Sequence, residues 1–120
     1  MSRPPITVAT TAPVMEALEL MARHRIHYLP VVDEHARLVG MVTTDDALGT
    51  GRHVPSDRDV VADVMSAPPV SIAPTAPLTD AMRLMADRSL GALPVVKHGL
   101  VVGILTQSDV VAALAHRWPA

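Results

Sequence analysis

Apolar and polar positions follow two regular patterns along the chain, and the whole succession of patterns occurs twice. ITVATTAPVMEALELMARHRIHYLPVV (6–32) aligns with VSIAPTAPLTDAMRLMADRSLGALPVV (70–96) at an offset of 64 residues. After a turn that is shorter in the second copy, LVGMVTTDDAL (38–48) aligns with VVGILTQSDVV (101–111). The chain is therefore predicted to contain two copies of one structural unit.

Each copy contains a segment typical of an amphipathic helix. Apolar residues recur in both at the spacing i, i+4, i+7: Val14, Leu18, Met21, and Leu78, Met82, Met85. Thr11 and Thr75 stand two residues before a proline and are predicted to cap these helices. One face of each helix is expected to pack on the core.

Valine-rich runs follow each helix and predict strands. YLPVV (28–32) and ALPVV (92–96) lead through the turns DEHAR and KHG into a second strand, so each pair is predicted to form a hairpin. The second strands are continuously apolar, which indicates cover on both faces. The predicted fold is α/β (α+β), with two βαββα repeats packed about a pseudo-twofold axis, since about 50 residues rarely bury a sufficient core alone.

The predicted organisation is repeat 1 in residues 1–53, a linker with a short helix in 54–64, and repeat 2 in 65–120. The segment 49–59, GTGRHVPSDRD, has the glycine, proline and polar content of a linker. DRDVVADVM (57–65) predicts a short helix that leads into repeat 2.

Composition excludes several classes of function. No apolar run reaches 18 residues and the N-terminus lacks a signal-peptide pattern, so we expect a cytoplasmic protein without membrane contact. A net charge of −2 and 2% aromatic residues argue against nucleic acid as a partner. No nucleophile motif or phosphate-binding loop indicates an enzyme. His24 and His27 have an i, i+3 spacing, but no cysteine or carboxylate completes a metal site, and none is predicted.

A threonine ends the second strand of each predicted hairpin, and an aspartate follows three residues later. Thr43 and Thr106 can cap the next helix, whose first N–H groups and dipole favour an anion. The carboxylates of Asp46 and Asp109 can accept two hydrogen bonds from a vicinal diol such as a ribose. A helix cap, worth about 1 kcal/mol, is a sufficient explanation for one isolated Thr-x-x-Asp element. Its repetition in the same context favours a ligand as well.

The combination of Thr-Ala-Pro, a helix, Leu-Pro-Val-Val and Gly-x-x-Thr-x-x-Asp resembles a tandem pair of cystathionine β-synthase (CBS) domains. The resemblance covers nearly the whole chain. DVMSAPPVSI (63–72) is similar to the segment that precedes a CBS repeat, whereas MSRPPITV (1–8) is interpreted as lacking most of it. The resemblance implies up to two clefts between the repeats that bind adenosine derivatives such as AMP, ADP, ATP or S-adenosylmethionine.

By position, the resemblance assigns Asp46 and Asp109 to ribose hydroxyls, and Thr43 and Thr106 to ribose or phosphate. Further residues are implied to contact the adenine or, in the case of the serine, a phosphate: Ile6, Ile26, Val70, Leu90 and Ser66. Ser66 stands in the segment that leads into the second copy, and the first copy has no clear equivalent.

The two copies depart from each other at the implied phosphate positions. His27 matches a position from which some nucleotide-sensing members reach phosphate, and Gly91 stands there in the second copy. Asp45 replaces the small hydroxyl residue that is common in the family, whereas the second copy keeps Ser108. Like charges about 4 Å apart cost on the order of 1 kcal/mol even when screened. We therefore expect the second copy, with Thr106 and Asp109, to be the better nucleotide site. The first copy, with Thr43 and Asp46, is expected to be weak, empty or specific for a less anionic adenosine compound.

The sequence therefore predicts a regulatory sensor of an adenosine-containing ligand that requires no cofactor and performs no chemistry. A homodimer is implied by the resemblance, with paired helix surfaces that include Met15, Ala22, Met82 and Ala86. The regulated target is expected to be a separate effector protein. The alternative is a structural dimerisation or docking module with unoccupied clefts.

Overall fold

A computed structural model of the chain describes residues 5–49, 56 and 58–117. Contacts divide it into two compact units. We call Ile6–Pro69 the N-terminal unit and residues 70–117 the C-terminal unit. Most of the predicted linker, at 50–55 and 57, lies outside the described residues.

The N-terminal unit has the predicted βαββα order followed by one short helix. Its elements are β1 (Val8–Ala9), α1 (Val14–His24), β2 (Tyr28–Val32), β3 (Leu38–Thr43), α2 (Thr44–Leu48) and α3 (Val61–Val64). β2 lies at the centre of the sheet, parallel to β1 and antiparallel to β3. The predicted mixed α/β fold is confirmed.

The C-terminal unit repeats this arrangement with a shorter first strand. Its elements are α4 (Leu78–Arg88), β4 (Ala92–Lys97), β5 (Leu100–Thr106) and α5 (Gln107–Arg117). The first strand is reduced to a parallel bridge between Ile72 and Val95, the counterpart of the Val8–Val31 pair. Both predicted hairpins are present, and each has a bulge at the second valine of Leu-Pro-Val-Val.

The buried face of each first helix differs from the predicted stripe. Val14, Ala17 and Met21 are buried in α1, and the counterparts of the last two, Ala81 and Met85, are buried in α4. Leu18 and Leu78 are only half-buried, and Met82 is 38% exposed. The fully buried central position is thus an alanine at i+3, whose small side chain lets the helix approach the strands closely.

The prediction that Thr11 and Thr75 cap the first helix of each copy is wrong. The caps are Pro13 and Pro77, neither of which makes a side-chain cap hydrogen bond. Each threonine lies instead inside a turn that is closed by a backbone hydrogen bond two to three residues before the helix: Ala12 N–H to Ala9 C=O, and Ala76 N–H to Ala73 C=O. A residue within such a turn is too far from the first helical N–H groups to cap them.

Both first helices end in the same way, and this ending positions the next apolar residue. Arg25 and Ser89 adopt left-handed conformations, with φ of 55° and 53°. The N–H groups of Ile26 and Leu90 then donate to carbonyls five residues back, at 3.0 and 2.9 Å. This is the Schellman arrangement, and it returns Ile26 and Leu90 to the edges of their cores.

The helix predicted in 57–65 is present as α3, and its contacts are with the N-terminal unit. Val61 is fully buried, and its N–H donates to Ala12 C=O at 2.8 Å. The chain then continues along β3, where Ser66 and Met41 exchange two backbone hydrogen bonds of 2.8 and 3.0 Å. Residues 61–66 therefore complete the first repeat structurally, although they precede the second in sequence.

The expectation that the second strand of each hairpin is covered on both faces is wrong for part of β5. Leu100 and Val102 are 43% and 44% exposed, whereas no residue of β3 is classed as exposed. Both lie in the half of β5 next to the hairpin turn, opposite the exposed end of β4. Apolar character in β5 therefore extends beyond the part of the strand that the core covers.

The first hairpin turn is closed by the side chain of Asp33. Its Oδ1 accepts hydrogen bonds from the N–H groups of His35 and Arg37, at 2.8 and 3.0 Å. The Arg37 hydrogen bond, with the His35 bond and the positive charges of both residues, holds the pKa of the Asp33 carboxyl below its usual value, against a smaller opposing effect of burial.

We expect Asp33→Ala to lower stability more at neutral pH than in acid. Because the folded-state pKa is lowered, the charge-dependent contribution is present above the unfolded-state pKa and is lost as the pH falls through the folded-state value. Urea unfolding from about pH 7 to about pH 2 measures the difference from wild type, which should become smaller in acid. Asp33→Asn keeps an acceptor without titrating and is the control. A difference that persists unchanged in acid contradicts this role.

Gly40 allows the segment at Met65 and Ser66 to lie against β3. A Cβ atom on Gly40 would stand 2.9 Å from the Ser66 carbonyl oxygen and 2.6 Å from Met65 Sδ. The thioether can rotate away, but the carbonyl is fixed by its bond to Met41. We expect Gly40→Ala to lower the free energy of unfolding by about 1–3 kcal/mol.

Gly91→Ala is the matched control, because a Cβ atom there meets no atom within 4 Å. Its effect should stay within about 0.5 kcal/mol. Denaturant unfolding measures both variants, and amide exchange at Met41 reports the local contact. Equal stability of the two variants would show that the close approach at Gly40 is not required.

Candidate functional site

The junction of β3 and α2 is fixed by a reciprocal pair of hydrogen bonds. The Asp46 N–H donates to Thr43 Oγ1 at 3.1 Å, and the Thr43 N–H donates to Asp46 Oδ2 at 3.0 Å. This is a capping box with aspartate in the place of the usual glutamate. Both side chains are half-buried.

The junction of β5 and α5 has the same geometry. The Asp109 N–H donates to Thr106 Oγ1 at 3.1 Å, and the Thr106 N–H donates to Asp109 Oδ2 at 2.8 Å. Both aspartates therefore have a structural role before any ligand is considered. The capping function expected from each Thr-x-x-Asp element is present at both sites.

The capping bonds use only one of the two carboxylate oxygens, Oδ2, at each junction. Among the residues described in this structure, no hydrogen bond reaches Oδ1 of Asp46 or of Asp109. An ionised carboxylate accepts at both oxygens, so Oδ1 and the second lone pair of Oδ2 can receive hydroxyl donors. Each junction can thus hold a diol without giving up its cap.

Most N–H donors at these helix starts already have partners. The N–H groups of Thr43, Asp46, Thr106 and Asp109 form the boxes described above. The first residues of the helices donate to the preceding loops: Thr44 N–H to His27 C=O at 2.9 Å, and Gln107 N–H to Gly91 C=O at 3.1 Å. The helix starts therefore offer an anion fewer backbone donors than their sequence position indicates.

Sequence reasoning did not single out Thr44 and Gln107. Each residue joins the helix start to the loop between the first helix and the first hairpin strand, which carries the predicted ligand residues at 26–27 and 90–91. The only sequence feature that marks these two residues is their position directly after the repeated capping threonine.

The predicted adenine-contacting residues all lie at the edges of the two cores. Ile6 and Ile26 are half-buried and pack on the N-terminal core, and Val70 and Leu90 do the same in the C-terminal unit. In each pair, one residue lies at the start of a repeat and the other directly follows the left-handed cap of its first helix. Their side chains are thus partly available at the rim of a packed core.

The predicted phosphate-contacting residues are exposed. His27, Gly91, Ser108 and Ser66 are all classed as exposed. The backbone of Ser66 pairs with Met41 in β3, so its contacts place it in the N-terminal unit, with Thr43 and Asp46.

The described histidines form no metal cluster. α1 ends at His24 and Arg25 is its left-handed cap, so His27 lies beyond the helix, as the sequence indicated. No group of three histidine, cysteine, aspartate or glutamate side chains with metal-binding geometry occurs among the described residues. None of the helices in the described part of the chain is long and apolar enough to span a bilayer.

Several known proteins are similar to this chain in sequence. A curated relative, the CBS domain-containing protein YhcV of Bacillus subtilis, is 38% identical over 106 residues, which are 85% of this chain and 75% of that protein. Other curated relatives are longer. The chain spans 21% of an L-aspartate semialdehyde sulfurtransferase of Methanocaldococcus jannaschii and of a homoserine O-acetyltransferase of Methanocorpusculum labreanum.

Solved structures with the same fold include ligand complexes. A CBS domain pair in complex with 5′-methylthioadenosine and S-adenosyl-L-methionine superposes with a TM-score of 0.84 at 27% identity, covering 98% of this chain and 94% of that one. CBSX2 in complex with AMP gives a TM-score of 0.78 at 31% identity, covering 93% of this chain and 89% of that one.

The family model for the CBS domain matches this sequence twice, over residues 1–51 and 61–116. The second match begins at the first residue of α3, so it includes the segment that packs on the N-terminal unit. The two matches cover both copies of the internal repeat, with both capping boxes inside the matched ranges, and the chain is a member of the CBS domain family that carries a tandem pair of these domains.

Proposed function

We propose that this chain is a non-catalytic regulatory module that binds an adenosine-containing ligand, AMP, ADP, ATP or S-adenosylmethionine, at its Thr-x-x-Asp junctions. One observation carries the proposal: each capping box leaves Oδ1 of a half-buried aspartate without a partner among the described residues. Complexes of similar domain pairs with AMP and with S-adenosyl-L-methionine support this ligand class.

The chemistry of each junction suits a nucleoside. The carboxylate accepts from the two ribose hydroxyls, in charge-assisted bonds that are about twice as strong as neutral ones. The apolar rims offer cover for a purine base, through Ile6 and Ile26 in one unit and Val70 and Leu90 in the other. Cover of this kind stabilises by about 25 cal/mol for each Å² of apolar surface removed from water.

We propose further that the two junctions differ in ligand. Asp45 precedes the ribose-type aspartate in the N-terminal unit, and the exposed Ser108 holds that position in the C-terminal unit. A carboxylate repels a phosphate, whereas a hydroxyl can donate to it. α5 is also a helix of 11 residues, against five for α2. The Asp109 junction is thus the better phosphate-bearing site, and the Asp46 junction suits a less anionic adenosyl compound.

Aspartate variants test this assignment by calorimetric titration with AMP. We expect Asp109→Ala to weaken AMP binding at least about tenfold, since two hydrogen bonds to a charged group are lost. We expect Asp46→Ala to change it by about twofold or less. Equal losses in the two variants would contradict the asymmetry, and no AMP heat in wild type would contradict AMP as the ligand.

Asp109→Asn is the matched control for the cap. Its amide oxygen can keep the hydrogen bond from Thr106 N–H while the amide nitrogen replaces an acceptor, so stability is kept and the diol site is lost. Asp109→Ala should lose about 1 kcal/mol of stability in addition.

A second candidate function is a structural docking module, and the complete capping boxes favour it because they explain both aspartates without a ligand. Thermal melting distinguishes the two functions. A ligand at about 100 times its dissociation constant stabilises the fold by about 2.7 kcal/mol. If AMP, ADP, ATP and S-adenosylmethionine all leave the melting temperature unchanged, the docking function is the better account.

We also propose that the chain forms a homodimer through its first helices and acts on a separate effector protein in the cytoplasm. Apolar side chains on these helices face solvent: Met15 is 59% exposed and Met82 is 38% exposed, with exposed Ala22 and Ala86 one or two turns further along. Small residues allow two helices to approach closely, and the methionines adapt to an opposing surface.

Paired charge substitutions test the dimer. We expect wild type to sediment at twice the mass of one chain, and Met15→Glu with Met82→Glu to sediment as a monomer, because a charge at the centre of an apolar interface must be desolvated. Leu100→Glu is the control, since Leu100 is similarly exposed but lies on a strand. A monomeric wild type, or a dimer that survives the double substitution, contradicts this interface.

A further inference from the structure

The side chain of Thr44 connects three parts of the N-terminal unit. Its Oγ1 lies 3.6 Å from Sδ of Met21 in α1 and 3.4 Å from Nδ1 of His27 in the following loop. The backbone N–H of Thr44 also donates to the His27 carbonyl oxygen at 2.9 Å. His27 is therefore held to α2 through its backbone and contacted through its imidazole.

Only one assignment of protons satisfies both side-chain contacts. A threonine hydroxyl carries a single proton, and a thioether sulfur can only accept. If the hydroxyl donates to Met21 Sδ, its oxygen faces His27 with a lone pair, so His27 Nδ1 must carry a proton. A neutral imidazole has one N–H, and Nε2 is then left as an acceptor.

We propose that Thr44 is a positioning residue that holds neutral His27 in the Nδ1–H tautomer, so that Nε2 receives a hydrogen bond from a hydroxyl or amino group of the ligand. The two side-chain contacts of Thr44, both within the N-terminal unit, favour this tautomer. The ligand group rests on the function proposed above.

This tautomer opposes binding of a phosphate at His27. At a pH where the ring is neutral, phosphate oxygens and an unprotonated Nε2 are both acceptors, so neither can donate to the other. The Asp45 carboxylate, one residue after Thr44, acts in the same direction. An adenosyl compound without phosphate offers hydroxyl and amino donors, and is the ligand class that this junction accepts.

The C-terminal unit lacks this device although it keeps the backbone contact. The backbone N–H of Gln107 donates to the Gly91 carbonyl oxygen. The side-chain amide N–H of Gln107, on Nε2, donates to the Leu90 carbonyl oxygen at 3.4 Å, and Gly91 has no side chain to orient. The discrimination against phosphate is therefore specific to the N-terminal unit.

The tautomer is testable without a ligand. Long-range ¹H–¹⁵N spectra of the labelled protein at about pH 8.5, where an ordinary imidazole is neutral, distinguish a protonated from an unprotonated ring nitrogen. We expect His27 Nδ1 to be protonated in wild type and in Thr44→Ser, which keeps the hydroxyl. Thr44→Val keeps the shape but lacks the hydroxyl, and should shift the proton towards Nε2. His27→Asn identifies the signals.

A wild-type His27 with its proton on Nε2, or a Thr44→Val spectrum identical to that of wild type, overturns the proposal. Loss of the fold in Thr44→Val would be visible as changes in all histidine signals, and the wild-type and Thr44→Ser spectra would then decide alone.

Titration with adenosine and AMP tests the consequence for the ligand. In an Asp109→Ala background, we expect Thr44→Val to raise the preference for AMP over adenosine roughly fivefold, the worth of about one hydrogen bond. An unchanged preference refutes the link between Thr44 and ligand choice. Absence of binding by both compounds refutes the proposed function at this junction and the ligand part of the inference, while the spectra still test the tautomer.

Discussion

The capping box at the end of the second hairpin strand, β3 in one unit and β5 in the other, determines how each repeat is built. In each capping box, threonine and aspartate satisfy each other's N–H, so the chain can change from strand to helix within one residue. The same bonds fix the carboxylate relative to the strand. A ligand that uses the remaining oxygen therefore meets a group that is already oriented, and its binding need not pay the entropy of ordering that side chain. The structural role of the aspartate thus supports the ligand role proposed for it.

Periodicity and repetition made most of the fold predictable. The hairpins follow from the valine-rich runs and their turns, and the pairing of Val8 with Val31 is repeated by Ile72 with Val95. The errors have local causes. Thr11 resembles a cap in the sequence, but a turn intervenes between it and the helix. Met82 continues the apolar spacing, yet the neighbouring alanine occupies the buried position. Hydrophobic spacing alone does not distinguish a core residue from an apolar residue on the surface.

The segment before the second repeat shows what a boundary drawn from sequence misses. Met65 and Ser66 lie against β3, and Gly40 is small because they approach so closely. A contact between segments that are distant in sequence carries no periodicity of its own, so the hydrophobic pattern does not indicate it.

The candidate sites were predictable in their shared part and less so in their differences. The position of each threonine and aspartate follows from the motif, and the contrast of Asp45 with Ser108 can be read directly. The contact of Thr44 with Met21 and His27 cannot, because it depends on the crossing of a helix, a loop and a helix start. The same capping box thus stands beside two different sets of side chains at the proposed ligand sites. The two junctions can differ in ligand while both boxes remain the same, because the box that holds the aspartate involves none of the residues that differ.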